Sequence, residues 1–168
     1  VTVQARVTGD NFDLVLSRDP ATVILDDPTI TPVAAKPDVE VNAHALYKGQ
    51  DVNNGNPIAV GETYQGVVTI TNKGNQAAVG VNVILPIDDN SAFIAGSVLT
   101  DCPTVCKVTA GNYVGNSGPV VVSIASLAPG ADNSYIITYS ATVNSPFAGQ
   151  SAYVWIEYKI SGDNIADI

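Results

Sequence analysis

Apolar and polar residues alternate with a period of two through much of this 168-residue chain, starting at its first residue. In VTVQARVT, Val1, Val3, Ala5 and Val7 fall on one side and Thr2, Gln4, Arg6 and Thr8 on the other, the pattern of a strand with one buried face. The turn GDN leads to FDLVLS, which places Phe12, Leu14 and Leu16 on one face, and RDP leads to ATVILD, which carries Val23 and Leu25. The next segment, DDPTITPVAAKPD, holds Pro28, Pro32 and Pro37. Each proline lacks the N–H a central strand needs, so the segment reads as an extended connector. The chain therefore divides into an N-terminal arm with its connector, residues 1–36, and a body, residues 37–168.

The body continues the short-period pattern. Strands are expected at VEVNAHALY, TYQGVVTITN and AVGVNVILP, then at FIAGSVL, KVTAGNYV and PVVVSIASL, and finally at SYIITYSATV and SAYVWIEYKIS. NNGN at 53–56 and NKGN at 72–75 are Asn/Gly turns of the kind that close hairpins. No segment shows helical periodicity. About eight antiparallel strands punctuated by Gly, Pro, Asn and Asp predict an all-β fold, an immunoglobulin-like antiparallel β-sandwich with an extended N-terminal β arm. In the last strand Tyr153, Trp155 and Glu157 alternate against Val154, Ile156 and Tyr158, and the single Trp reads as core or sheet surface rather than a ligand platform.

Composition narrows the setting. A net charge of −9 would repel phosphate backbones and anionic lipid, so nucleic acid is a poor partner. No apolar run approaches the roughly 20 residues of a membrane-spanning helix, and the chain is not expected to span a membrane. A sequence that starts at Val1 and contains no Met reads as the mature product of a precursor after signal-peptide removal. That makes an extracellular or cell-surface protein the expectation. Cys102 and Cys106, in DCPTVCK, suit the same compartment. Pro103 and Thr104 favour a turn that brings the two Cα atoms into bridging range, so a disulfide is expected. A metal pair would need further ligands, and His44 is the one histidine.

The motifs of the body arrive in a recognisable order: Gly61–Thr63, Thr71–Asn75 (TNKGN), Val81–Pro86 (VNVILP), Phe93–Ser97 (FIAGS) and Leu127–Gly130 (LAPG). This series resembles the prokaryotic conserved-repeat surface domain, the group catalogued as domain of unknown function eleven, over roughly residues 37–160. The resemblance implies an immunoglobulin-like fold in extracellular surface, stalk or fibre proteins, and it implies no catalysis. Such domains usually occur in tandem within very large chains, whereas one is present here, and the arm lies outside the pattern.

Catalytic chemistry finds little footing. A Ser-His-Asp arrangement would have to use His44, which sits on the polar face of its expected strand, and no nucleophile elbow accompanies it. Paired carboxylates at Asp88 and Asp89, or at Asp26 and Asp27, resemble glycosidase pairs in type but read as solvated turns. DVNNGN offers Asp51, Asn53 and Asn56 as weak cation ligands, with Gly55 one place early for an EF-type loop and no distant Glu. No enzyme activity, cofactor or resident metal is expected. No Asn-x-Ser/Thr acceptor occurs, while O-linked sugars on the many threonines stay open.

The arm admits two readings. Residues 1–25 either fold back as a small meander on their own body, or insert into a neighbouring copy as a donated strand. The proline-rich connector favours donation, and a head-to-tail contact of that kind propagates into a filament. Burying Val1, Val3 and Val7 contributes about 1.5–3 kcal/mol each, against an association cost of about 4–15 kcal/mol. Eight residues are therefore marginal, and Phe12, Leu14, Leu16, Val23 and Leu25 are expected to be engaged as well. The expected partners are copies of the chain itself, with contacts to a cell surface or within fibre bundles as further options. A secreted adhesin or carbohydrate-binding module is the alternative.

Overall fold

The computed structural model describes the chain except for Pro32, residues 53–57 and 114–117, Ala131, residues 145–153, and Asp167. It divides into two compact units, Val1–Ala35 and Lys36–Ile168. The described residues form strands and no helix.

In the first unit, the expected single strand VTVQARVT is two short ones, β1 (Thr2–Val3) and β2 (Arg6–Gly9). The break falls at Gln4 and Ala5 because Ser17 competes for their polar groups. Ala5 N donates to Ser17 Oγ at 2.8 Å, Ser17 N donates to Ala5 O at 2.9 Å, and Gln4 Nε2 donates to the carbonyls of Ser17 and Asp26. β2 pairs antiparallel with β3 (Phe12–Leu16), and β1 with β4 (Thr29–Ile30). β4 lies inside the segment expected to be a strand-free connector. ATVILD, expected to be a strand, is a turn instead. Asp27 accepts from Asp19 N and from Thr22 Oγ1, and Asp26 adopts φ 61°. Those local bonds draw the backbone away from any ladder.

The second unit is an all-β antiparallel sandwich, as the alternation predicts. Its strands are β5 (Val39–Tyr47), β6 (Gln50–Asp51), β7 (Thr63–Asn72), β8 (Ala78–Leu85), β9 (Ser91–Phe93), β10 (Leu99–Thr100), β11 (Cys106–Ala110), β12 (Val120–Leu127), β13 (Ser134–Val143) and β14 (Lys159–Ser161). One sheet runs β10-β13-β7-β5-β6, with β9 also on β13, and the other runs β11-β12-β8-β14. Between them lie Tyr64, Val68 and Ile70 of β7, Val81, Val83 and Leu85 of β8, Val120, Val122 and Ile124 of β12, and Ile137, Tyr139 and Ala141 of β13, all buried. These are alternate residues, the inward half of each pleat.

Three expectations change in detail. NKGN does not close a hairpin; it carries the chain from β7 in one sheet to β8 in the other. The observed hairpin joins β5 to β6 through Lys48 and Gly49, both at positive φ (51° and 77°), as a two-residue primed turn requires. FIAGSVL splits into β9 and β10, because Ile94 N and Ser97 Oγ both bond Ser140 O on the neighbouring strand. SAYVWIEYKIS is a strand only over Lys159–Ser161. Upstream of it Val154, Ile156 and Tyr158 pack on the core and Trp155 and Glu157 are exposed, but Pro86 ends the β8 ladder that would have paired them. Tyr153 and NNGN lie outside the described residues.

Candidate functional site

The first unit stands out by what it leaves uncovered. No described residue of 1–35 is buried. Val1, Val3, Val7, Phe12, Leu14, Val23 and Leu25 are all exposed, from 47% at Leu14 to 94% at Val23, and Ala5 is exposed too, while Leu16 is half-buried. The register explains why the unit builds no core. Val7 lies opposite Val15 and Arg6 opposite Leu16, so one face of the β2–β3 hairpin carries Val7 and Val15 and the other carries Leu14 and Leu16. Directly opposed residues share a face, and this hairpin is therefore apolar on both. A two-stranded ribbon can cover neither face itself. The sequence pattern shows apolar alternation in each strand, but the relative phase of the two is set by the shift between Val7 and Gly9, which no local pattern reveals.

The other sequence-derived candidates resolve into structural roles or disperse. Cys102 and Cys106 form a disulfide with a Cα–Cα distance of 5.3 Å, closing the turn that leads into β11. Asp88 is a turn staple: its Oδ1 accepts from Asn90 N at 2.7 Å and its Oδ2 from Trp155 N at 3.3 Å. Asp26 and Asp27 lie in the 19–27 turn already described. His44 is a strand residue of β5, paired with Val67 of β7. Asp51 ends β6, while Asn53 and Asn56 lie outside the described residues. Among the described residues no group of three or more His, Cys, Asp or Glu side chains could hold a metal ion. Trp155 is 65% exposed.

Sequence reading missed two buried polar residues. Asn72 is fully buried, and its side chain makes four hydrogen bonds. Oδ1 accepts from Asp38 N and Gly74 N, both at 3.0 Å, and Nδ2 donates to Gln76 O at 2.7 Å and Leu127 O at 3.0 Å. Asn72 O also accepts from Gly130 N at 2.9 Å. One side chain thus joins the TNKGN turn, the start of β5 and the LAPG turn. The two asparagines of TNKGN are the signal the sequence offers for it. The second is Tyr139, whose hydroxyl is buried with no hydrogen-bond partner among the described residues. Burial pushes its phenol well above the ordinary range. The neighbouring Tyr64 is pushed up to about 12, again chiefly by burial, although its hydroxyl donates to Ser91 Oγ at 2.9 Å.

A disulfide is the bond of oxidising compartments, and no helix among the described residues is long and apolar enough to cross a membrane. No family model and no curated protein matches the chain. Among solved structures, a family GH18 chitinase from Chromobacterium violaceum is similar at 18% identity and a TM-score of 0.37, over 81% of this chain and 19% of that one. The CBM3 of Hungateiclostridium clariflavum is similar at 11% identity and a TM-score of 0.32, over 74% of this chain and 93% of that one. The chain thus spans about a fifth of the chitinase. Likeness at this level bears on neither substrate nor assembly.

Proposed function

We propose that the protein is a structural subunit of an extracellular filament, assembled head-to-tail by its N-terminal residues entering the neighbouring copy. The observation that carries this reading is the β2–β3 hairpin with apolar side chains on both faces, in a unit with no buried residue. Apolar surface of that kind is stable in water only when another surface covers it. The ordered motifs that resemble conserved-repeat surface domains, the disulfide and the net charge of −9 fit an extracellular, surface-associated polymer.

Deletion of residues 1–25 tests the reading. Negative-stain electron microscopy and sedimentation should find filaments with the full chain and monomeric body without the arm. Filaments of unchanged number and length after the deletion would reject it. Val3→Lys with Val7→Lys should act in the same direction, by placing charge where apolar surface must be covered.

A further inference from the structure

Among the described residues the β5 edge of the sandwich is open over Val39–Ala43, and its geometry bears on what can close it. β5 pairs on one side with β7 along its length, but on the other with β6 only at Leu46–Asp51 and Tyr47–Gln50. Val52 N extends this pairing by donating to Ala45 O at 3.0 Å. Main-chain groups of successive strand residues point to alternate sides. Since Ala45 points outward, Ala43, Val41 and Val39 do so as well. Asp38 confirms the phase from the other end, because its carbonyl accepts from Lys73 N on the β7 side. The N–H and C=O groups of Val39, Val41 and Ala43 therefore form a bare row, with no partner among the described residues. Their side chains are half-buried against the core.

Two other stretches of edge are bonded by the chain itself. On β8, Val79 O accepts from Asp163 N and Val79 N donates to Asn164 Oδ1. On β14, Ile160 and Ile168 exchange both main-chain bonds. β10 and β11 flank the disulfide turn; among the described residues β11 pairs with β12 alone, but its Lys107–Ala110 side chains are exposed, unlike the half-buried row of β5. That turn fixes β10 and β11 on one flank of the sandwich, so the sheet orders put β5 and β14 on the other. On that open flank Val154, Ile156 and Tyr158 also face the core from outside any ladder.

We infer that the β5 edge, Val39–Ala43, is the receiving site for residues 1–8 of a second copy of this chain, which pair with it as an added strand. The inference rests on the filament reading above and names its acceptor. The dimensions agree: five residues of open edge span about 17 Å, and eight extended residues reach about 27 Å. The patterns agree too, since Val1, Val3, Ala5 and Val7 would continue the inward row of Val39, Val41 and Ala43, with Thr2, Gln4, Arg6 and Thr8 outward. Residues 1–8 contain Arg6 and no acidic side chain, whereas the edge begins beside Asp38 and beside Glu40, which is ion-paired with Lys73. In the isolated chain the same eight residues are held by a two-residue ladder with β4, by the Ser17 bonds at Gln4 and Ala5, and by the pairing of Arg6 and Val7 with β3, all of which the exchange replaces.

Cysteine pairing in the full-length chain tests the site, because both native cysteines are already bonded and add no free thiol. Gln4→Cys is combined in turn with Glu40→Cys, with Asn42→Cys and, as a control on the opposite flank, with Thr109→Cys. Mild oxidation of assembled material should give a non-reducing ladder of covalent multimers with a β5 cysteine and none with Thr109→Cys. Val41→Pro supplies a second measurement. It removes an outward N–H and leaves the β7 ladder intact, so elongation should fall at least tenfold while the circular-dichroism spectrum is retained. A ladder only through Thr109→Cys, a crosslink confined to single chains, or undiminished elongation by Val41→Pro would overturn the β5 assignment. If deletion of residues 1–25 still abolished filaments in that case, the filament reading would stand with another acceptor. If filaments survived the deletion, both would fall.

Discussion

Asn72 and Tyr139 show two outcomes for a polar side chain placed in an apolar interior. All four hydrogen-bonding positions of Asn72 are used, so truncation orphans two N–H groups and two carbonyls at the meeting of three segments. Each orphaned group costs about 1–3 kcal/mol, and Asn72→Ala should destabilise by at least about 3 kcal/mol in urea titrations. Tyr139 lies across Gly66, where a Cβ would collide with its ring, and its hydroxyl is unmatched. Tyr139→Phe keeps the ring and removes the hydroxyl, so stability should be unchanged or rise by about 1 kcal/mol. The two phenols also predict alkaline sensitivity. The unfolded chain releases tyrosine protons near pH 10, whereas Tyr64 holds its proton to about 12 and Tyr139 is also pushed up. Unfolding is therefore favoured as pH rises above 10, with a limiting slope of about 1.4 kcal/mol per pH unit per tyrosine. Urea titrations between pH 8 and 11 should show this fall, and Tyr139→Phe should make it shallower.

Among the elements, the disulfide turn and the N-terminal hairpin depend on their surroundings to different degrees. The Cys102–Cys106 bridge closes a short loop, for which chain entropy gives about 2 kcal/mol. Replacing both cysteines with Ser should lower the thermal midpoint by several degrees and leave the strand signal intact. The hairpin is the opposite case. Its strands alternate correctly in sequence, yet opposite phases meet in the pair and place apolar residues on both faces. A peptide of residues 1–35 should show a disordered circular-dichroism spectrum, because isolated ribbons without a buried face are marginal in water. Residues 36–168 should unfold cooperatively alone.

For the molecule as a whole, two sheets share one core while one flank retains an open edge. Such an edge invites aggregation unless it is covered. Under the proposal above, coverage by another copy would turn that liability into an assembly rule, since a donor and an acceptor at different places on one chain make a heterologous contact that repeats. Filament formation, its loss on deletion of residues 1–25, and crosslinks to β5 are the outcomes that proposal predicts at this scale.

The sequence alone determined the all-β class, most strand positions in the body, and the cysteine pair. Each depends on alternation or spacing within a few residues, where side-chain direction follows from the backbone. Pairing across long separations was left to the tertiary structure. It broke VTVQARVT at Ser17, turned ATVILD into a loop through Asp27, made NKGN an inter-sheet corner held by Asn72, and left β5 without a second neighbour along most of its length. The break at Ser17 and the Asn72 corner rest on contacts 12 and 55 positions apart, the ATVILD loop on side-chain bonds five and eight positions apart, and the open β5 stretch on which edges the fold happens to cover; a local hydrophobic pattern contains none of these.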